Sequence, residues 1–115
     1  MLNSYMNTLI MGNIIDRRFI MTKEQIKFFE ELTSIQEYCV NVTLSKVKEY
    51  RNVEELLNGI TNETIYRIME LLDGYGGELQ KCNIVNTITG EIINEGIELH
   101  DKCVQFLDKS SDAGR

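Results

Sequence analysis

What this sequence lacks narrows it first. No Cys-x-x-Cys pair occurs, and the three cysteines, Cys39, Cys82 and Cys103, stand far apart, so neither a zinc ribbon nor a thioredoxin-like redox motif is written here. An odd number of cysteines with no secretory signal fits a reducing compartment and free, mostly buried thiols. No stretch approaches the roughly 20 apolar residues of a membrane span. The opening MLNSYMNTLIMGNIIDRRFIM has only short apolar runs, its charges follow them, and no small-residue cleavage site closes it, which is not the pattern of a leader. The expectation is a cytoplasmic protein with no membrane role.

Basic charge is also in short supply. Lys and Arg number 12 against 18 Asp and Glu, for a net charge of −6. The excess is spread along the chain, with +1 over residues 1–21, −2 over 22–58, −2 over 59–81 and −3 over 82–115. Affinity for nucleic acid comes largely from Lys and Arg neutralising phosphates, so a nucleic-acid partner is not expected. Proline is absent and alanine occurs once, while isoleucine occurs 14 times and asparagine 10. AT-rich coding favours that usage, which speaks to the host and not to chemistry. What remains is ordinary for a globular chain: 43% hydrophobic and 26% charged residues over a length of 115. That length suits one domain with one core.

Periodicity divides the chain into an arm over residues 1–21, a compact domain over 22–109 and a tail over 110–115. Thr22 and Gln25 have the spacing of a capping box. Behind them Phe28, Leu32, Ile35 and Cys39 recur at helical steps, which predicts a helix over 22–40. Residues 40–50 are β-branched enough for a strand and could equally prolong that helix. Asn52, with Glu54 and Glu55 behind it, reads as an N-cap. It opens a short helix that Gly59 ends, and Thr61 caps the next, whose stripe is Ile65, Ile68, Met69 and Leu72 and which Gly74 stops. The glycines of GYGGEL at 74–79 lack the context of a phosphate loop and read as a turn. Ile84–Val85 and Ile92–Ile93 flank NTITG as a β-hairpin, with Gly90 in the left-handed conformation. The expected class is therefore α+β: mainly helical, about four helices, with one hairpin packed on them.

The chemistry-bearing candidates lie at 96–107, GIELHDKCVQFL, where His100 and Cys103 stand three apart between carboxylates. On a helix over 97–108 both fall on the apolar half with Ile97, Leu99, Val104, Phe106 and Leu107, and Glu98 and Asp101 fall on the other. A metal site needs three or four converging donors, and one helix here offers two, so no metal and no cofactor are expected. A Cys–His nucleophile needs a thiol open to substrate, and burial would silence Cys103. His100 and Cys103 are thus weak catalytic candidates, read in the first place as core. Tyr66 and Tyr75 could rim a groove, and with Glu98 and Asp101 they form the candidate interaction surface.

The stretch ETIYRIMELLDGYGGELQKCNIVNTITGEIINEGIELHDKCVQFL resembles a type of short protein found in low-GC bacteria, their mobile elements and prophages. The resemblance spans residues 22–108 and rests on LLDGYG, the TGE turn and ELHD. It implies a cytosolic bacterial or prophage origin and brings no activity with it, so no residue role is carried over. The leading functional expectation is a small non-enzymatic protein-interaction or regulatory module, with a protein partner or a second copy of itself. An acidic inhibitor or immunity-type protein acting on a basic nucleic-acid enzyme is the alternative, and a small Cys/His enzyme the second.

Overall fold

The computed structural model describes residues 20–107. The arm read over 1–21 lies outside the described residues except for Ile20 and Met21, and the tail read over 110–115 lies wholly outside them.

Helix α1 runs Lys23–Ser45. It starts where the capping box forms: the Thr22 hydroxyl accepts from the Gln25 N–H at 3.1 Å, and the Gln25 side chain accepts from the Thr22 N–H at 2.8 Å. A cap of this kind is worth about 1 kcal/mol. The helix then continues to Ser45, into the segment over 40–50 that propensity left open between strand and helix. Burial decides between them, because Cys39 and Thr43 are inside while Asn41 between them is exposed. A strand would have carried Asn41 inward with its neighbours two away. One turn of 3-10 helix, Val47–Glu49, leads to the next element.

Helix α2, Val53–Leu72, is opened by Asn52, whose side chain accepts from the Glu55 N–H at 2.9 Å. Glu55 in turn accepts from the Arg51 backbone N–H at 3.0 Å and from its guanidinium at 2.6 Å. The expected break at Gly59 and fresh start at Thr61 do not occur; one helix of 20 residues passes through both. Gly59 marks a close approach instead. A Cβ there would stand 2.6 Å from the Tyr50 hydroxyl oxygen, so the missing side chain lets the Tyr50 ring lie on the helix. The Thr61 hydroxyl folds back to the Leu57 carbonyl at 2.9 Å, a bond made inside a helix and not at its cap.

The two helices are antiparallel. Tyr50 meets Gly59, Tyr38 meets Arg67 and Glu31 meets Gly77, so contacts step back along α1 as they advance along α2 and past its end. A long connection over 73–98 then leads to α3, Leu99–Cys103, which packs on α2. The nearly or fully buried side chains are apolar Cys39, Leu71, Leu79 and Leu99 and polar Thr43, Glu55, Asp73 and Asn94.

The expectation of an α+β fold with a packed hairpin is overturned. Helices make up 58% of the described residues, which contain no strand and no sheet, and the α-helices number three rather than about four. NIVNTITGEIIN forms a single antiparallel bridge, Val85 with Ile92. Its turn is built much as its residues suggest, with Gly90 at φ +79° and the Asn86 side chain accepting from the Ile88 and Thr89 N–H groups. What stops a ladder is Asn94. Its side chain, with no exposed surface, accepts from the Ile84 N–H at 2.9 Å and donates to the Cys82 carbonyl at 2.9 Å. Those are backbone groups that a further strand pair would have used. The helix expected over 97–108 is also shortened to five residues, and Phe106, placed on its buried face, is 86% exposed.

Candidate functional site

Asp73 organises the site. It is the C-cap of α2, and its side chain is 1% exposed. Two effects oppose a carboxylate there, because burial strips its water and the negative end of the helix dipole faces it. Three donors from α3 offset them. The Leu99 N–H donates to Oδ1 at 2.9 Å, the His100 N–H donates to Oδ2 at 2.9 Å, and the His100 ring bonds Oδ2 through Nδ1 at 2.6 Å. Glu98, at the N-cap position of α3, makes no side-chain cap bond. Asp73 therefore ends one helix and caps the start of another 26 residues further on.

The electrostatics follow from this geometry. Burial is the largest single influence on Asp73 and works against its charge, but the bonds from His100 and Leu99 together outweigh it and lower its pKa. The bond to Asp73 raises the pKa of His100 against the opposing effect of burial. An ionised Asp73 accepting at Nδ1 fixes the proton on that nitrogen and holds the ring. The imidazole, 20% exposed, is further bracketed by two rings. Tyr66 from α2 meets it edge-on at 5.7 Å and Tyr75 from the loop at 5.4 Å. The Tyr75 hydroxyl donates to the Glu98 carboxylate, and that bond raises its pKa.

The structure thus brings together His100, Tyr66, Tyr75 and Glu98 of the residues singled out from sequence. Asp101 stands apart as an exposed residue of α3. Cys103 is half-buried, and its thiol donates to the His100 carbonyl at 3.5 Å, not to the ring. Burial first, and the charge of Asp73 second, push that thiol up. An Asp–His pair can orient a general base, but acyl transfer also needs an activated nucleophile, and a thiol with a raised pKa is the reverse of one. Among the described residues no three His, Cys, Asp or Glu side chains converge as metal ligands, and no helix is long and apolar enough to cross a membrane.

Two residues of this region escaped the sequence reading, Asp73 and Asn94. The signal for Asp73 was an acid at the unfavourable end of a helix, directly before a glycine whose φ is +95°. Compared with protein-family models, with curated proteins and with solved structures, the chain finds no match.

Proposed function

We propose that this chain is a small non-enzymatic protein-interaction module of the cytoplasm, and that it docks through the closed end of the α1–α2 hairpin. One observation carries the reading. Leu44, Val47, Val53 and Leu57, at the end of α1, in the connection and at the start of α2, are all exposed. Leu44 and Val53 are 63% and 68% exposed, in a fold whose described residues bury just four apolar side chains almost fully. Scattered apolar residues on a surface are ordinary, whereas several gathered at one end mark a surface meant for a partner. The net charge of −6 favours a partner, or a face of one, that is basic. The Asp73–His100 pair reads as a structural clasp, since no activated nucleophile stands beside it among the described residues.

Light scattering on a sizing column and affinity capture test this with Leu44→Asp and Leu57→Asp. Both positions are exposed, so stability should change by no more than about 0.5 kcal/mol, while self-association or capture of a protein partner is lost. A wild-type chain that stays monomeric across micromolar concentrations, and captures nothing that Leu57→Asp fails to capture, would overturn the reading.

A further inference from the structure

The α1–α2 hairpin has two faces, and the described residues cover one of them. The connection over 73–98 and α3 lie against Glu31, Tyr66 and Asp73, through Gly77 and His100. At about 100° per residue, the flanks turned away from that cover carry positions 29, 33, 36 and 40 of α1 and 61, 64, 65 and 68 of α2. These are Phe, Thr, Gln and Val on the first helix and two Thr and two Ile on the second. None of the eight is charged, in a chain where 26% of residues are. The three threonines spend their hydroxyl protons inside the helices: Thr33 donates to the Phe29 carbonyl at 3.1 Å, Thr61 to Leu57 at 2.9 Å and Thr64 to Ile60 at 2.7 Å. The face therefore asks for no donor or acceptor from outside. Yet Phe29, Val40 and Ile65 on it are exposed among the described residues. A continuous uncharged strip along two helices marks a surface that something covers.

Three observations name the occupant. The first is composition. Residues 1–15, MLNSYMNTLIMGNII, also carry no charge, and nine of the fifteen are apolar; at the usual charged fraction about four charges would stand there. The second is attachment. This segment joins the hairpin at Ile20, just before the Thr22 cap, at the end of the face that Phe29 occupies. The third is reach. Val40, at the far end, lies about 27 Å along α1 from Thr22, and the 19 residues before Ile20 span about 28 Å even at the rise of a helix, and more than twice that when extended. A tethered segment also acts at an effective concentration on the order of millimolar, which a second copy at micromolar concentration does not match. We propose that residues 1–15 fold back across this face and cover Phe29, Val40 and Ile65, giving the hairpin the layer that its described residues lack. The docking patch of the preceding section lies farther along, at the closed end, and this inference does not rest on it.

The test is methyl NMR on the full chain. The methyl groups of Met6 and Met11 should give nuclear Overhauser contacts to the Phe29 ring and to the Val40 and Ile65 methyls, and added salt should not weaken them, because no charges are involved. A sample mixed from labelled and unlabelled chains, filtered for contacts between chains, should show none of these. The double variant Leu9→Asp, Ile10→Asp lies outside the described residues. It should remove the contacts and move the Val40 and Ile65 resonances, while those of buried Leu99, beside the clasp, stay in place. Val40→Asp, at an exposed position, should remove them from the other side, and it stands in should the first variant aggregate. Absence of the contacts in wild type overturns the inference, as do Val40 and Ile65 resonances that do not move in the double variant. Contacts seen only between chains assign the face to the segment of a second copy and overturn it too. So does a partner whose capture by wild type is lost in Val40→Asp while the intrachain contacts are missing. Capture lost in Leu57→Asp is read separately, so either proposal can fail while the other stands.

Discussion

Replacing Asp73 by Asn tests the clasp with the least change of shape. Asp73 offers two oxygens to three donors, and Asn offers one oxygen and an NH₂ group. The oxygen can keep the bond from Leu99, but the NH₂ group then faces the His100 N–H and Nδ1–H, a donor against two donors. Each bond to a charged acceptor is worth about 1.5–3 kcal/mol, and a buried donor left unmet costs about 1–3 kcal/mol. The ring is partly open to water, so solvent recovers some of the loss, and about 3 kcal/mol is the expected destabilisation. That is a large part of the roughly 0.05–0.15 kcal/mol per residue that domains have in total. At about 4–8 °C per kcal/mol for a domain of this size, the thermal midpoint should fall by about 12–24 °C. Far-UV circular dichroism during heating, with urea unfolding beside it, measures both quantities. His100→Gln should also lose stability, and the double variant should lose less than the sum, with a coupling of about 1 kcal/mol or more. A midpoint for Asp73→Asn within about 3 °C of wild type, less than 1 kcal/mol by the same conversion, would refute the account. So would strict additivity with His100→Gln.

The pH dependence has a definite sign. His100, with its pKa raised in the fold, contributes stability that is complete below about pH 6.5 and is lost as pH climbs through the raised value; Asp73, with its pKa lowered, contributes above about pH 3.9 and loses it as pH falls through the lowered value. Urea midpoints should therefore show the clasp strongest between about pH 4 and 6.5, and an alkaline decline that His100→Gln leaves untouched would count against it. Gly59→Ala improves helix propensity by about 1 kcal/mol yet forces a Cβ within 2.6 Å of the Tyr50 hydroxyl oxygen. Its net effect should be a loss of about 1–2 kcal/mol that Tyr50→Leu relieves; a stabilised Gly59→Ala would show that the ring moves freely. Cys39 is 1% exposed, whereas Cys82 and Cys103 are half-buried. Mass spectrometry after brief alkylation of the native chain should find Cys39 modified last, and rapid labelling there would mean that α1 and α2 part readily.

Local features could be read from sequence because their partners are three or four residues away. The Thr22–Gln25 box and the Asn52 cap are of this kind, and each sits where its residue types put it. Gly59 was misread because a glycine carries one local signal for two different uses, ending a helix or admitting a neighbour, and the neighbour, Tyr50, lies in the preceding connection. The β-branched run at 40–50 was ambiguous for a related reason. Propensity favours strand weakly, while burial of Cys39 and Thr43 against α2 decides for helix, and α2 is not part of the local window. At 84–93 the alternation was real and the turn formed, but a ladder depends on which groups bond the backbone on either side, and there a side chain does so.

The clasp was hidden by distance and by a rule that holds on average. Acids are disfavoured at helix C-termini, so Asp73 carries no local motif, and the carboxylates nearest His100 in sequence, Glu98 and Asp101, fall on the opposite half of the helical wheel. Yet an acid at a helix C-terminus is itself informative. It must be solvated, paired, or given to donors elsewhere, and the loop that follows leaves it buried, which removes the first choice. Among the donors this chain offers, the uncapped N–H groups at the start of α3 and its single histidine meet the need together. The same logic explains how a 26-residue connection with one β-bridge holds its course between α2 and α3. Two buried polar side chains, Asp73 at its start and Asn94 near its end, bond its backbone or that of the helix it delivers. With so few apolar side chains fully buried among the described residues, these polar anchors rather than a large core set the position of α3, and they leave the apolar end of the hairpin exposed, as the proposed docking requires.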